Sequence, residues 1–229
     1  MDRPVNFRDL GGLTVAGGRS VRGCRLLRSG EVTGLDEDDK GRLLGEYKLA
    51  HIVDLRNSSE LYKSPDDVLD GVAYTHLDIL AKQLSAPNMA NFRRIESVEQ
   101  LHGFIERLYA EMIQQERALA GYRDFLDILL GQGDGAVLFH CFAGKDRTGI
   151  AAAIILALLG ADDDTIADDY LRTNSLRAEA NEGIIDAARQ EGKSEAELEI
   201  LAAAMSVDRR YIQHLFDIAR PSGSLKTYI

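Results

Sequence analysis

The sequence is poor in the residues that stabilise small domains through covalent or metal cross-links. It has 229 residues, no tryptophan, four prolines and only two cysteines, Cys24 and Cys141. Two thiols are too few for the usual four-ligand structural zinc site, and we interpret both as reduced thiols in a reducing compartment. A chain of this length buries roughly 70% of its unfolded surface and needs neither kind of cross-link. We therefore expect a single domain over residues 1–229, without a structural metal.

Excess positive charge and long apolar runs are also missing. The formal net charge is −10, which argues against broad electrostatic binding to nucleic acid or to an anionic membrane. No stretch reaches the ~20 apolar residues of a membrane span. The longest apolar run, Gly149 to Leu159, is interpreted as a buried helix. Met1 to Pro4 lack the apolar run of a signal peptide, so we expect a cytoplasmic protein without integral membrane contact; secretion without a signal peptide stays open.

Strand and helix patterns alternate through the first two thirds of the chain, and helices follow. Short apolar runs predict strands at 50–55, 72–77 and 136–140. Thr33 is the candidate N-cap of a helix that extends to Tyr47. Charged and apolar residues at helical spacing predict two or three helices between 85 and 130. Further helices are predicted from Thr148 to Gly160 and at about 163–172, 175–191, 194–204 and 207–219.

This order of elements predicts an α/β fold with a central sheet flanked by helices. The helical segment at about 82–132 precedes the last predicted strand and is interpreted as an insertion. Its mixture of apolar stripes and charges, such as Arg93, Arg94 and Arg107, suits either a mobile lid or an ordinary packed layer of helices.

The string His-Cys-Phe-Ala-Gly-Lys-Asp-Arg-Thr-Gly at 140–149 links the last predicted strand to a helix. A loop that enters a helix N-terminus directs several backbone N–H groups, and the positive end of the helix dipole, at one point. That point binds anions, and the same field favours a thiolate over a thiol at Cys141. The string therefore predicts an activated cysteine nucleophile in an anion-binding loop.

The spacing of the string suits a phosphate group. Arg147 follows Cys141 by six residues, so a loop that wraps a phosphate would place the cysteine beneath it and the arginine beside it. A planar guanidinium then binds two phosphate oxygens at once. Gly144 permits close backbone approach, and the Thr148 hydroxyl is placed to donate to the sulfur. The phosphate-binding set is Phe142, Ala143, Gly144, Lys145, Asp146 and Arg147.

Five other interpretations compete with this one. A lone buried cysteine is usually an inert core residue, but the complete string argues against that role. A nucleotide-binding Gly-Lys loop is excluded, because Asp146 stands where Ser or Thr is required and Phe139 where glycine is required. Sulfur-transfer loops are usually shorter, and arsenate reduction needs thiols beyond Cys24. A non-catalytic phosphoryl-binding module remains the alternative function.

The string resembles the active-site loop of cysteine phosphatases. More narrowly, it is similar to that of bacterial protein-tyrosine/lipid phosphatases, which reads His-Cys-x-Ala-Gly-Lys-Asp-Arg-Thr-Gly. The other similar stretches are Asn6 to Gly12, Arg28 to Gly30, Asp54 to Arg56 with Glu60 behind them, Ile166 to Asn174, and Gly223 to Leu225.

The resemblance implies a phosphatase-type fold and two-step hydrolysis through a phosphocysteine, with no metal or other cofactor. It implies a phosphorylated protein or a phosphoinositide as the substrate. Lys145 resembles the lysine found where phosphoinositides are also substrates, so dual specificity is an expectation. A merely solvated charge is the alternative for this lysine.

Hydrolysis also needs a proton donor for the leaving oxygen and a base for water. Asp146 lies inside the loop, where the family carries an aspartate, and is favoured over Asp78, which follows a predicted strand. Asp54 is expected to hold Arg56 or a loop amide, and His140 to orient the loop.

The remaining candidates have two possible roles each. Arg8, Arg28 and Arg56 either add positive charge around the pocket or form structural ion pairs. Cys24 is expected to be a core residue; the alternative is a redox partner of Cys141, which requires the two sulfurs to lie within bonding reach.

Overall fold

The structure is a computed structural model that describes residues 3–79 and 94–229. Its centre is a five-stranded sheet in the order β1-β4-β7-β5-β6, in which all pairs except β1–β4 are parallel. The strands of this sheet are β1 (Arg8–Asp9), β4 (Leu26–Ser29), β5 (Leu49–Asp54), β6 (Ala73–His76) and β7 (Ala136–His140). A separate antiparallel pair consists of β2 (Thr14–Val15) and β3 (Arg19–Ser20). The predicted α/β fold is confirmed.

Ten α-helices lie within the described residues. They are α1 (Glu37–Gly41), α2 (Ser58–Lys63), α3 (Val98–Gln114), α4 (Glu116–Gly131), α5 (Asp146–Leu159), α6 (Asp163–Leu176), α7 (Ala178–Gln190), α8 (Glu195–Met205), α9 (Arg209–Ala219) and α10 (Leu225–Tyr228). None of the helices described is long and apolar enough to cross a bilayer.

The strand β7 forms the middle of the sheet and is buried on both faces. Val137 and Phe139 pack into the larger core with the apolar helix α5, whereas Ala136 and Leu138 pack into a smaller core on the opposite face. Burial of both faces explains the uninterrupted apolar run that predicts this strand. Because β7 lies parallel to β4 and β5, the loop that follows it lies beside the carboxyl ends of both.

The first predicted helix begins later than expected. Its N-cap is Asp36, whose carboxylate accepts a hydrogen bond from Asp39 N at 2.7 Å. Thr33 lies outside the helix because Gly34 has a positive φ of 66° and breaks the helical path. After α1 the chain continues as one π-helical turn over Arg42–Glu46.

Other predicted helix limits shift by a few residues. The helix α5 starts at Asp146 rather than at Thr148 and ends, as predicted, at Gly160, which has a positive φ of 84°. The helix α6 extends past 172 to Leu176. The predicted insertion contains α3 and α4, while its first part, including Arg93, lies outside the described residues.

Candidate active site

The loop 141–145 lies at the carboxyl edge of the parallel strands, between β7 and α5. Cys141 is 2% exposed and lies at the base of a pocket of about 280 Å³. Ligand sites in open α/β sheets lie at this edge, because loops from several strands converge there. The pocket is lined by Leu101, Phe104, Ile105, Leu108, Met112, Cys141, Phe142, Ala143, Lys145, Asp146, Arg147, Ala204 and Met205.

Two carbonyl groups at the apex of the loop are bound from outside by side chains of distant segments. Asn6 Nδ2 donates to Ala143 O at 3.1 Å and to Gly144 O at 2.9 Å. Arg177 Nη1 donates to Ala143 O at 3.1 Å, and Arg28 Nη2 donates to Gly144 O at 3.0 Å. These bonds orient both carbonyl oxygens away from the pocket.

The flanking carbonyl groups are bound by backbone N–H groups, one from the distant Glu31 and one from the first turn of α5. Phe142 O accepts from Glu31 N, and Lys145 O accepts from Gly149 N, each at 3.0 Å. With four consecutive carbonyls engaged, the peptide N–H groups of the loop face the other way. Within the part of the chain described, none of the N–H groups of 142–147 donates to another protein group outside α5. Convergent, unoccupied N–H groups at a helix N-terminus form an anion site.

Gly144 is required by both conformation and space. Its φ is +66°, and a Cβ placed on it would lie 2.2 Å from Ser29 O and 2.6 Å from Gly30 N. The close contact is with backbone atoms, so neither neighbour can rotate away as a side chain would.

Gly144→Ala is therefore expected to destabilise the protein by about 2 kcal/mol or more and to weaken phosphate binding. Urea unfolding and phosphate titration measure the two effects. Gly183→Ala in α7 is the matched control, because its Cβ would meet nothing within 4 Å. Unchanged stability and phosphate affinity in Gly144→Ala would contradict the proposed tight loop.

Arg147 is clamped by Glu60, a partner from the first turn of α2. Nη1 donates to Oε2 at 2.6 Å and Nη2 to Oε1 at 2.8 Å, a bidentate pair. Burial opposes the charge of Arg147, but Cys141 and Glu60 raise its pKa above the ordinary value. Burial likewise opposes ionisation of Glu60, and Arg147 reverses this to give a net lowered pKa.

The role of Glu60 as the partner of Arg147 was not predicted. Its carboxylate also accepts from Asn57 N at 2.9 Å and completes a capping box with Asn57. The Asn-x-x-Glu pattern at 57–60 is the local signal that predicts a helix start there. The pattern contains no information about the distant Arg147.

Asp146 is the first residue of α5 and faces the pocket. Its Oδ1 accepts from Tyr109 OH at 2.8 Å, and its Oδ2 lies 3.5 Å from Lys145 Nζ. The other acid candidate, Asp78, accepts from Ser58 N at 3.3 Å at the start of α2. Asp146 lines the pocket together with Cys141, and Asp78 is not among the lining residues.

Thr148 has a fully buried hydroxyl group without a hydrogen-bond partner in the described residues. The predicted hydrogen bond from this hydroxyl to the sulfur is therefore not made in this structure. Phe142, at the rim of the pocket, is 52% exposed and leaves an aromatic face toward solvent.

Lys145 does not carry a solvated charge, so that alternative is wrong. The residue is 6% exposed, and its Nζ donates to Ala204 O at 2.8 Å and to Ser206 O at 3.2 Å. These carbonyls lie at the C-terminus of α8, where the helix dipole favours a cation. A second phosphate group could engage the ammonium group only in competition with these carbonyls.

His140, Asp54 and Arg56 form a buried cluster beneath the loop with Asp66. Asp54 accepts from Arg56 Nε and Nη2, as expected for a structural carboxylate, and Arg56 Nη2 also donates to Asp66 at 2.8 Å. His140 Nδ1 lies 3.2 Å from Cys141 O, and Nε2 lies 2.8 Å from Asp66 Oδ2. Hydrogen bonds to Arg56 outweigh burial and lower the pKa of Asp54 to about 2.

The three potential ligands of this cluster, Asp54, Asp66 and His140, lie close enough together to hold a metal ion. The guanidinium of Arg56 already pairs with both carboxylates, each at 2.8 Å. A cation among them would be repelled by Arg56, so the cluster is a buried ion-pair network that supports the loop.

The three other candidates from the sequence, Arg8, Arg28 and Cys24, lie outside the pocket lining. Arg8 and Arg28 both pair with the buried Asp169 of α6, at 2.8 and 2.6 Å. Cys24 is a free, half-buried residue at the amino end of β4. Leu26 pairs with Val137, which precedes Cys141 by four residues. Cys24 precedes Leu26, so at ~3.3 Å per residue along the strands Cys24 lies more than ~10 Å from Cys141. The redox-partner alternative is therefore wrong.

One helix of the predicted insertion, α3, forms one wall of the pocket. The helix α3 contributes Leu101, Ile105 and Met112 to the lining, and His102 on the same helix is bound to Tyr211 OH of α9 at 2.6 Å. Opening and closing of this wall stays a prediction.

The sequence model described as tyrosine phosphatase family matches residues 1–229. A Cupriavidus necator protein described as a tyrosine-protein phosphatase is 36% identical over 186 residues, which cover 79% of this chain and 64% of that protein. This chain thus spans less than two thirds of that relative's length.

Two further bacterial relatives are similar. The triple specificity protein phosphatase PtpB of Mycobacterium tuberculosis is 34% identical over 204 residues, which cover 78% of this chain and 71% of PtpB. A tyrosine-protein phosphatase of Nostoc commune is 29% identical over 121 residues, which cover 52% of this chain and 38% of that protein.

Proposed function

The chain belongs to the tyrosine phosphatase family over its whole length, and we propose that it hydrolyses phosphate monoesters through a phosphocysteine on Cys141. The observation that carries this proposal is that four consecutive loop carbonyls are engaged, three of them by distant segments and the fourth by the first turn of α5. It leaves the loop N–H groups, the helix dipole of α5 and Arg147 to bind the three non-bridging phosphate oxygens above the sulfur.

The proposed reaction has two steps. The Cys141 thiolate attacks phosphorus, the bond to the leaving oxygen breaks, and Asp146 gives its proton to that oxygen. A water molecule then attacks phosphorus, the Asp146 carboxylate takes the water proton, and the P–S bond breaks to restore the thiolate. Thr148 supports the second step if its hydroxyl turns to the sulfur. The two steps need substrate, water and these side chains alone.

Phosphotyrosine is the substrate class that the pocket suits best. The walls above Cys141 are apolar, with Phe104 and Leu108 from α3, and Phe142 stands at the rim. An aromatic leaving group fills such a pocket better than the short side chain of phosphoserine does. Phosphoinositides are proposed as a secondary class. Their second phosphate group would have to compete for the Lys145 ammonium group with the carbonyls at the end of α8. The relative PtpB is named a triple specificity protein phosphatase.

The test is phosphate release in the presence of a chelator from a phosphotyrosine peptide, a phosphoserine peptide and a phosphoinositide. We expect turnover that needs no added metal, with the phosphotyrosine peptide fastest. Asp146→Asn is expected to lower kcat/KM on that peptide about 10²-fold. Near-normal activity of Asp146→Asn would transfer the role of acid to Asp78. Tight phosphate binding without turnover on any substrate would favour the non-catalytic phosphoryl-binding module.

A further inference from the structure

Two tyrosines from separate helices meet at the carboxylate of Asp146. Tyr109 OH, from α3, donates to Asp146 Oδ1 at 2.8 Å. The same hydroxyl lies 2.6 Å from Tyr170 OH, from α6. Neither tyrosine belongs to the active-site string, and each comes from a part of the chain more than 20 residues away from Asp146.

The direction of these hydrogen bonds follows from counting protons. Burial first, and Asp146 next, raise the pKa of Tyr109 well above its ordinary value, so the hydroxyl keeps its single proton. A carboxylate only accepts, so that proton points to Asp146 Oδ1. Tyr170 OH must then donate to Tyr109. Both side chains are buried, with exposures of 0% for Tyr109 and 1% for Tyr170.

The two oxygens of Asp146 therefore differ. Oδ1 is occupied by Tyr109, whereas the partner of Oδ2 among the described residues is the more distant Lys145 Nζ at 3.5 Å. The side chain is 28% exposed, and the residue lines the pocket above Cys141. A proton on Asp146 consequently resides on Oδ2, the oxygen left available to a leaving group.

We propose that Tyr109 is a positioning residue for the general acid, and that it fixes Oδ1 so that Oδ2 of Asp146 delivers the proton. The inference rests on the proposed role of Asp146. The Tyr109 hydroxyl thus fixes the orientation of the Asp146 carboxyl group, and α3 contributes to catalysis through this contact. Preorganisation of this kind matters because small misplacements of a reacting group are costly in rate.

The test uses the dependence of kcat/KM on the acidity of the leaving phenol. Phenyl phosphate has a poor leaving group that needs protonation, whereas 4-nitrophenyl phosphate releases a stable anion and needs little help. Because kcat/KM includes only the steps up to loss of the phenol, later hydrolysis of the phosphocysteine does not mask the effect. We expect Tyr109→Phe to lower kcat/KM about 10-fold on phenyl phosphate and less than about twofold on 4-nitrophenyl phosphate.

Tyr122→Phe is the matched control. Tyr122 is equally buried, but within residues 3–79 and 94–229 its hydroxyl makes a single long contact, of 3.4 Å, to Arg147 O. Tyr122→Phe should therefore change kcat/KM on both substrates to the same extent. If Tyr109→Phe fails to fold, because Tyr170 OH loses its partner, the double variant Tyr109→Phe/Tyr170→Phe removes both hydroxyls and should show the same selective loss.

Asp146→Asn separates the acid role of Asp146 from the positioning role of Tyr109. A selective loss on phenyl phosphate in Asp146→Asn but equal or no loss in the Tyr109 variants overturns the positioning role alone. No selective loss in Asp146→Asn overturns Asp146 as the acid, and the positioning role of Tyr109 with it.

Discussion

Cys141→Ser is expected to lower turnover at least ~10⁴-fold on every substrate, because removal of a nucleophile eliminates the covalent route. The replacement changes one atom and keeps the side-chain volume nearly constant at a position that is 2% exposed. A serine hydroxyl ionises far less readily than a thiol, so the loop can no longer supply an anion as nucleophile. The anion site itself should survive, since it consists of backbone N–H groups and Arg147.

The measurement is phosphate release in a chelator, together with binding of phosphate or vanadate to the variant. Loss of turnover with retained binding is the expected result. Cys24→Ser is the matched control, because Cys24 is the other thiol of the chain and lies at the amino end of β4; it should retain full activity. Turnover by Cys141→Ser close to that of the unmodified protein would refute the phosphocysteine mechanism.

Arg147→Lys is expected to lower kcat/KM about 10³-fold while the protein remains folded. The charge is kept, but the planar fork that binds both oxygens of Glu60 at 2.6 and 2.8 Å is lost. The other edge of the guanidinium, Nε and the second hydrogen of Nη2, is the group proposed to bind two phosphate oxygens, and an ammonium group cannot reproduce its geometry. The effect should therefore appear in turnover and in phosphate affinity.

Steady-state kinetics and a phosphate titration test this prediction, and thermal unfolding reports on the fold. Arg189→Lys is the control, because its side chain is 54% exposed on α7 and pairs only with a neighbour on the same helix. Arg147→Lys with wild-type kcat/KM would mean that charge alone is needed at this position and that bidentate binding contributes nothing.

The elements that the sequence predicts best are those whose signals are local. The strand β7 was predicted with its observed limits, because burial on both faces demands a continuous apolar run between a glycine-rich turn and a polar string. Gly160 was predicted as the end of α5, because a left-handed residue ends a helix whatever surrounds it. The start of α1 was missed because Thr33 and Asp36 are both good caps, and the choice depends on the conformation of Gly34.

The sequence by itself determined the α/β class, the position of the loop and the presence of Cys141 and Arg147 at its two ends, where both line one pocket. These follow from short-range pattern and from the reach of six residues of backbone. Only the tertiary structure decided what each loop side chain contacts. Lys145 meets the end of α8 some 60 residues later, Arg147 meets Glu60, and Asp146 meets Tyr109. Such contacts depend on how helices from distant segments pack around the sheet, and sequence spacing contains no measure of that distance.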